Sequence, residues 1–260
     1  MMTFRAAPNE LASAAVELAP HPTLRDYYDS PQTKRRFVDE VFDRAASDYD
    51  RVENLMALGS GRWYRRQALL RAGLARGMRV LDVAVGTGLV AREEVELVGG
   101  DRSLVFGLDP STAMMRQATR ALGISGIQGV GERLPLADAS FDFVSMGYAL
   151  RHVSDVRATF CEFHRVLRPG GRVCVLEIAR PAAPLGRAML RAYMRYVVPA
   201  FARMASVNGG SSRLLWQYYW DTIDACVPPE QVVACLRECG FRDVRPKVLL
   251  GMFCEYTGRK

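Results

Sequence analysis

A glycine loop and the acids that bracket it are the residues here best suited to chemistry. Gly86-Thr87-Gly88-Leu89-Val90-Ala91 fits the pattern G-x-G-x-x-A, and Asp109 follows 18 residues after Ala91. Glycines let a ligand approach the backbone, and an acid ending the next strand binds ribose hydroxyls. Two cofactors fit that description. A dinucleotide sets its pyrophosphate on the helix N-terminus, which favours neutral or positive neighbours. Asp82, four residues before Gly86, puts a carboxylate there instead. S-adenosylmethionine carries an amino group and a sulfonium, so Asp82 tilts the choice towards the methyl donor and away from NAD(P). The other use for Asp82 is as a turn carboxylate capping backbone N–H groups.

Later segments extend the candidate site. Asp109-Pro110-Ser111 ends a strand and caps a helix on which Met114 can lie against an adenine. Glu132-Arg133-Leu134-Pro135 precedes an acidic turn, 138–142. A methyl acceptor that is a weak nucleophile must first lose a proton, which calls for a base or an electrostatic partner. His152 titrates near neutrality and is the candidate base, or else a structural histidine before a helix. Arg151 stays protonated; it suits an oxyanion or a water that needs orienting. Tyr148 lines an acceptor pocket or belongs to the core. Glu177 binds a substrate hydroxyl or serves as a cap or ion-pair residue.

Alternating short strands and helices must position these groups. Apolar strand patterns occupy 79–85, 104–109, 127–130, 141–146 and 172–178, with helical patterns at 35–46, 62–72, from 89, 111–122 and 155–167. This rhythm predicts a parallel sheet covered on both faces, the doubly wound α/β class. Arg168-Pro169-Gly170-Gly171 reads as a turn launching the fifth strand. A helix at 229–239 and two strands, 244–250 and 252–257, close the chain as an antiparallel pair. Residues 1–33, with Pro8, Pro20, Pro22 and Pro31, read as an N-terminal arm, and 34–260 as one domain. Residues 181–228 interrupt the rhythm after the fifth strand. There Arg187, Arg191 and Arg195 recur every fourth residue opposite Leu190, Tyr193, Met194 and Val197. This insertion is a helix laid over the sheet, a lid over an apolar substrate, or a surface that touches a membrane.

Composition narrows the partners. The 260 residues carry Lys+Arg 35 against Asp+Glu 28, a net charge of +7, and only Lys34, Lys247 and Lys260 are lysines. The arginines form no dense block with aromatic platforms, which argues against nucleic acid. Six cysteines without a C-x-x-C pair and three scattered histidines show no metal-binding spacing. A disulfide framework is not expected at this length, so reduced thiols and a cytoplasmic setting are. No run reaches 18 apolar residues.

These motifs, in this order, resemble the class I S-adenosylmethionine-dependent methyltransferases, and among them the ubiquinone/menaquinone biosynthesis C-methyltransferase family. The carriers are Phe42-Asp43-Arg44-Ala45-Ala46-Ser47-Asp48-Tyr49-Asp50, then 81–88, 132–141, Tyr148-Ala149-Leu150-Arg151-His152-Val153, the turn at 168–171, and Leu176-Glu177-Ile178-Ala179-Arg180-Pro181. The resemblance implies a Rossmann-like seven-stranded sheet, mostly parallel with an antiparallel last strand. It also implies a homodimer that methylates a ring carbon of a prenylated quinol. It places Thr87, Asp109 and the backbone around Gly131 on the cofactor, with Tyr49 closing over it. Together with Asp82, Ala84, Gly86, Gly88, Pro110, Met114, Glu132 and Gly147, these form the candidate cofactor site. The sequence departs from the family where Val130-Gly131 replaces an Asn-Ala pair, Gly147 a serine, and His152 an asparagine. These departures keep open O- or N-methylation of an aromatic metabolite; an NAD(P)-dependent oxidoreductase is the more distant reading.

Overall fold

Short apolar runs, buried on both faces at the centre of the sheet, form strands β1 (Val80–Val83), β2 (Val105–Asp109), β3 (Ser125–Gln128), β4 (Phe141–Gly147), β5 (Leu167–Ile178), β6 (Arg242–Leu249) and β7 (Phe253–Arg259). The computed structural model describes residues 17–45, 50, 60–200 and 212–260. Its strands form one sheet of order β3-β2-β1-β4-β5-β7-β6. The first five run parallel, and β7 lies antiparallel to both β5 and β6. Because β1 pairs with β2 on one side and β4 on the other, the order reverses beside β1. The crevice outside the carboxyl ends of such strands is where open α/β sheets bind ligands.

Two apolar layers clamp the sheet. On one face Leu81 and Val83 of β1 pack with Phe160 and Phe163 of α5 (Val156–Val166) and with Val232 and Leu236 of α8 (Pro229–Glu238). On the other, Val80 packs with α2 (Ser60–Ala72), α3 (Leu89–Leu97) and α4 (Thr112–Leu122) through Leu69, Ala91 and Ala118. A third cluster joins α1 (Pro31–Ala45) to α6 (Pro184–Ala192) and α7 (Ser212–Ala225) through Val41, Leu190, Trp216 and Ile223. A π-helical turn, Tyr193–Val197, continues α6.

Three local expectations change. The turn at 168–171 is absorbed into β5, since Arg172 already pairs with Phe143 and Leu167 with Phe141 across a register shift. Described residues of the lead-in are tied down rather than loose. The Val156 amide donates to the Leu18 carbonyl at 2.9 Å, the Val227 amide to that of Pro20 at 2.8 Å, and the Tyr27 hydroxyl to Asp221 at 2.6 Å. Finally, the cysteines are not all reduced. Cys161 on α5 and Cys239 after α8 form a disulfide, their Cα atoms 5.0 Å apart. The packing of α5 against α8 brings together two thiols that lie 78 residues apart in sequence.

Candidate active site

The carboxyl ends of β1, β2 and β4, roofed by α1 and α7, enclose a cavity of about 320 Å³. Two non-glycine residues on its wall, Ala84 after β1 and Tyr148 after β4, have φ of 57° and 60°. Such left-handed backbone is uncommon outside glycine and collects at functional sites. Here it bends two adjacent strands away from the crevice at the same level.

Asp82, Ala84, Gly86, Thr87, Asp109, Pro110, Met114, Gly131, Glu132 and Gly147 all line the cavity. Gly88 does not. It caps α3 with φ 91°, and a Cβ there would meet Leu122 at 2.8 Å, so its role is close packing of helices. Tyr49 lies outside the described residues, although the segment around it does reach the site. Asp50 accepts from the Thr87 hydroxyl, and Asp43 from that of Ser111. Both bonds tie the α1 end of the chain to the loops after β1 and β2. Gly147, where the family has a serine, is explained by Val90: a Cβ would stand 2.5 Å from its Cγ2.

The acids are held where the sequence puts them. Asp109 accepts from the amides of Gly86 and Ser111, each at 2.8 Å. Burial nevertheless lifts its pKa to about 6. Asp82 stands beside Ser145 in the β1–β4 register, and the Ser145 hydroxyl lies 3.2 Å from its Oδ1. Its Oδ2 is buried with no hydrogen-bond partner among the described residues. Burial, with Asp109 nearby, pushes the Asp82 carboxyl up to about 7. Below it, wholly buried Glu94 of α3 shares the same serine hydroxyl, and burial raises its pKa well above the usual carboxylate range. Sequence reasoning missed Glu94; its place on the sheet-facing side of α3 was the available signal.

Beyond β4 the wall is aromatic. His152, Tyr148, Phe42 and Tyr219 line it. The His152 ring stacks on Tyr218 at 5.5 Å and meets Phe42 edge-on at 5.2 Å. Both its ring nitrogens are shielded from solvent without a hydrogen-bond partner among the described residues. Burial first, then Arg151, Lys34 and His21, hold its pKa well below 6.5, so it is neutral at pH 7 and a weaker base than a free imidazole.

Arg151 does not stand where expected, and Glu177 takes the ion-pair role of its two readings. Neither lines the cavity; both are buried and ion-paired to each other. Arg151 also donates to the Tyr148 carbonyl at 2.9 Å and lies 4.5 Å over the Tyr219 ring. A guanidinium with no solvent access needs a carboxylate, and Glu177 supplies it. The pair therefore braces the Tyr148 turn and the Tyr219 ring. Lys34, Arg65 and Tyr219, which sequence reasoning did not select, line the cavity as well.

In chemical terms, two buried acids and an open glycine loop favour a cation-bearing nucleoside over a pyrophosphate. The unpartnered Asp82 oxygen is the observation that fits S-adenosylmethionine. Among the described residues no cluster of three or more His, Cys, Asp or Glu is arranged to hold a metal, and no helix is long and apolar enough to cross a membrane.

Comparison with known proteins bears on the same site. The model of the ubiE/COQ5 methyltransferase family matches residues 30–260. The demethylmenaquinone methyltransferase of Deinococcus radiodurans is 34% identical over 235 residues, covering 88% of this chain and 95% of that one. The ubiquinone/menaquinone biosynthesis C-methyltransferase UbiE of Coxiella burnetii is 33% identical over 214 residues, 79% and 83% of the two chains. Among solved structures, a SAM-dependent methyltransferase of Thermotoga maritima superposes with TM-score 0.59 at 23% identity, covering 85% of this chain and 99% of that one. The [4+2]-cyclase SpnF does so with TM-score 0.60 at 18% identity, covering 87% and 96%. A cyclase on the same architecture means that these structures speak for the fold alone.

Proposed function

The chain belongs to the ubiE/COQ5 methyltransferase family, and from that premise we propose that it moves a methyl group from S-adenosylmethionine to a ring carbon of a quinol. Neither of the two relatives named above is an oxidoreductase. O- or N-methylation is not favoured, because both are named for quinone methylation. The observation that carries the quinol reading is His152. It is a neutral imidazole on the cavity wall with both nitrogens uncommitted, set among the rings of Phe42, Tyr218 and Tyr219.

In this reading Asp109 holds the ribose hydroxyls, Pro110 and Met114 flank the adenine, and Glu132 with the Gly131 backbone completes that end. Asp82 faces the positive groups, and Gly86 and Thr87 bring the loop backbone close. Bound there, the cofactor supplies an electrophilic methyl group on a sulfonium. His152 accepts the proton of the ring hydroxyl, and the oxygen's electron pair makes the adjacent ring carbon nucleophilic. The proton returns from His152 to the oxygen once the methylated carbon sheds its hydrogen to water, so one proton is released per turnover. Phe42 and Tyr219 hold the ring flat and exclude water. Orientation of this kind is the main contribution an enzyme makes to a displacement. Arg151 and Glu177 act through Tyr148 and Tyr219, as positioning residues.

The prenyl tail of such a substrate belongs in a bilayer, and the outer face of α6 suits contact with one. Leu185, Met189 and Tyr196 are 73%, 65% and 67% exposed beside Arg191 and Arg195. That pattern supports an enzyme peripheral to an anionic membrane; the homodimer rests on the family resemblance. The experiment is incubation with methyl-labelled S-adenosylmethionine and demethylmenaquinol, with product analysis by mass spectrometry and NMR. A new methyl on the ring carbon is expected. A methyl on oxygen, or none with any quinol, overturns the proposal.

A further inference from the structure

Arginine outnumbers lysine 32 to 3 in this chain, yet one of the basic side chains whose charge His152 feels is a lysine. Lys34, on the first turn of α1, is only 7% exposed and lines the cavity. Its Nζ donates to the carbonyl of Val153 at 2.8 Å, which fixes the ammonium one residue from His152. Val153 lines the cavity too. Among the described residues no carboxylate lies within ion-pairing distance of Lys34, and the Val153 carbonyl is its one hydrogen-bond acceptor. Arg151, by contrast, is neutralised by Glu177. A buried ammonium with one of its three donors used is costly to maintain. The Glu132 carboxylate favours the charged form from beyond ion-pairing distance.

We propose that Lys34 is a catalytic residue that binds the oxygen of the acceptor hydroxyl and stabilises the oxyanion formed when His152 takes its proton. The inference rests on the quinol reading for its substrate, and on the shared wall of Lys34, His152 and Val153 for its geometry. An ammonium in a water-poor chamber lowers the pKa of a phenol placed against it and lowers the basicity of a neighbouring imidazole, so the two groups divide the work. The proton leaves oxygen for His152; the negative charge left on oxygen is met by Lys34, which stays protonated throughout. Burial brings the Lys34 pKa down to about 8, leaving it mainly cationic at neutral pH. Other titratable groups around it are Glu132 and Cys226, and it in turn is felt by His21 and His152. Burial holds His21 down to about 4 and Cys226 up to about 12, so neither changes charge between pH 6 and 9. The choice of lysine over arginine then has a reason. Its compact head fits a single oxygen, and it tolerates burial by a modest pKa shift that a guanidinium does not undergo.

The test compares wild type, Lys34→Met and Lys34→Arg in the full chain. Methyl transfer to demethylmenaquinol should show kcat reduced about 100-fold in Lys34→Met, the usual loss on removing one oxyanion partner. The acidic limb of its pH–kcat profile should move upward by about one unit or more, and Lys34→Arg should recover part of both. Affinity for S-adenosylhomocysteine should change less than threefold, which also reports that the variants fold. A second readout does not need turnover: 4-nitrophenol bound in the presence of S-adenosylhomocysteine should ionise at lower pH than free in wild type, and at higher pH than free in Lys34→Met. If wild type fails to methylate the quinol but shifts the nitrophenol, the substrate reading fails and Lys34 keeps its role. Unchanged nitrophenol ionisation in Lys34→Met, or a loss of kcat with the pH profile unmoved and no rescue by arginine, overturns the proposal.

Discussion

Cofactor affinity should depend on pH through Asp82, and the structure sets both the direction and the size. The Asp82 carboxyl is held up to about 7 by burial, with one oxygen unpartnered among the described residues. A ligand bringing a positive group to that oxygen favours the ionised form, so binding expels a proton wherever Asp82 is protonated beforehand. Affinity is then full above pH 7 and is lost as pH falls through it. With one such group at about 7, the dissociation constant for S-adenosylhomocysteine should rise roughly fourfold from pH 8.0 to pH 6.5. Asp109, at about 6, adds a factor of only about 1.3 over that range. Calorimetry in two buffers of different ionisation enthalpy should find about one proton released per ligand at pH 6.5, about 0.8 of it from Asp82 and the rest from Asp109, and about 0.1 at pH 8.0. Asp82→Asn should bind more weakly and lose nearly all of this dependence. A wild-type affinity that is flat between pH 6.5 and 8.0, with no proton release, would falsify the claim that Asp82 is a buried acid awaiting a cation.

Three further outcomes follow from individual contacts. Glu94 has a folded pKa raised above its unfolded one, so the folded chain holds an extra proton and stability falls as pH rises from about 4.5 towards the folded value, by up to about 1.4 kcal/mol per unit. Glu94→Gln should remove that decline, and its melting temperature relative to wild type should climb between pH 5.5 and 7.5; a constant difference refutes the assignment. Gly147→Ala should cost about 1–3 kcal/mol, because its Cβ would stand 2.5 Å from Val90. Val90→Ala in the same chain should recover most of that in urea denaturation, and additivity of the two changes would argue against the clash. Glu177→Ala, which strands the buried Arg151 charge, should lose about 3–5 kcal/mol of stability. Under the positioning role it should also lower kcat while cofactor affinity holds.

The cofactor half of the site was legible because its residues carry their reason in local sequence. Gly86, Asp82 and Asp109 sit at fixed offsets from strand ends, and the strands are visible as short apolar runs bounded by turn residues. The acceptor half was not. Tyr219 and Lys34 reach the cavity from α7 and α1, elements far apart in sequence that meet only through the cluster of Val41, Leu190, Trp216 and Ile223. No spacing rule relates them. Arg151 was chosen for the right segment and given the wrong orientation. A residue after a strand's end can face the crevice or turn under it, and Glu177 on the neighbouring strand draws it under. The disulfide escaped for the same reason: Cys161 and Cys239 are neighbours only once α5 packs on α8.

The departures from the family pattern are better understood as exchanges than as losses. Gly147 gives up a hydroxyl because Val90 occupies its space, while Ser145, two residues earlier on the same strand, presents a hydroxyl to Asp82 and Glu94. Strand alternation makes this possible, since residues 145 and 147 lie on one face of β4. His152 exchanges an amide for an imidazole among aromatic rings, where an amide's four hydrogen-bonding positions would be hard to satisfy. A neutral imidazole in that place needs no partner of its own until an acidic hydroxyl arrives. The cation needed to make that hydroxyl acidic is supplied from outside the β4 segment, by α1. The two halves of the deprotonation machinery therefore lie on separate elements that α1 couples, and a change that loosens α1 from the third cluster, such as Val41→Ala, should reach the chemistry both through Lys34 and through Phe42, which packs on the His152 ring.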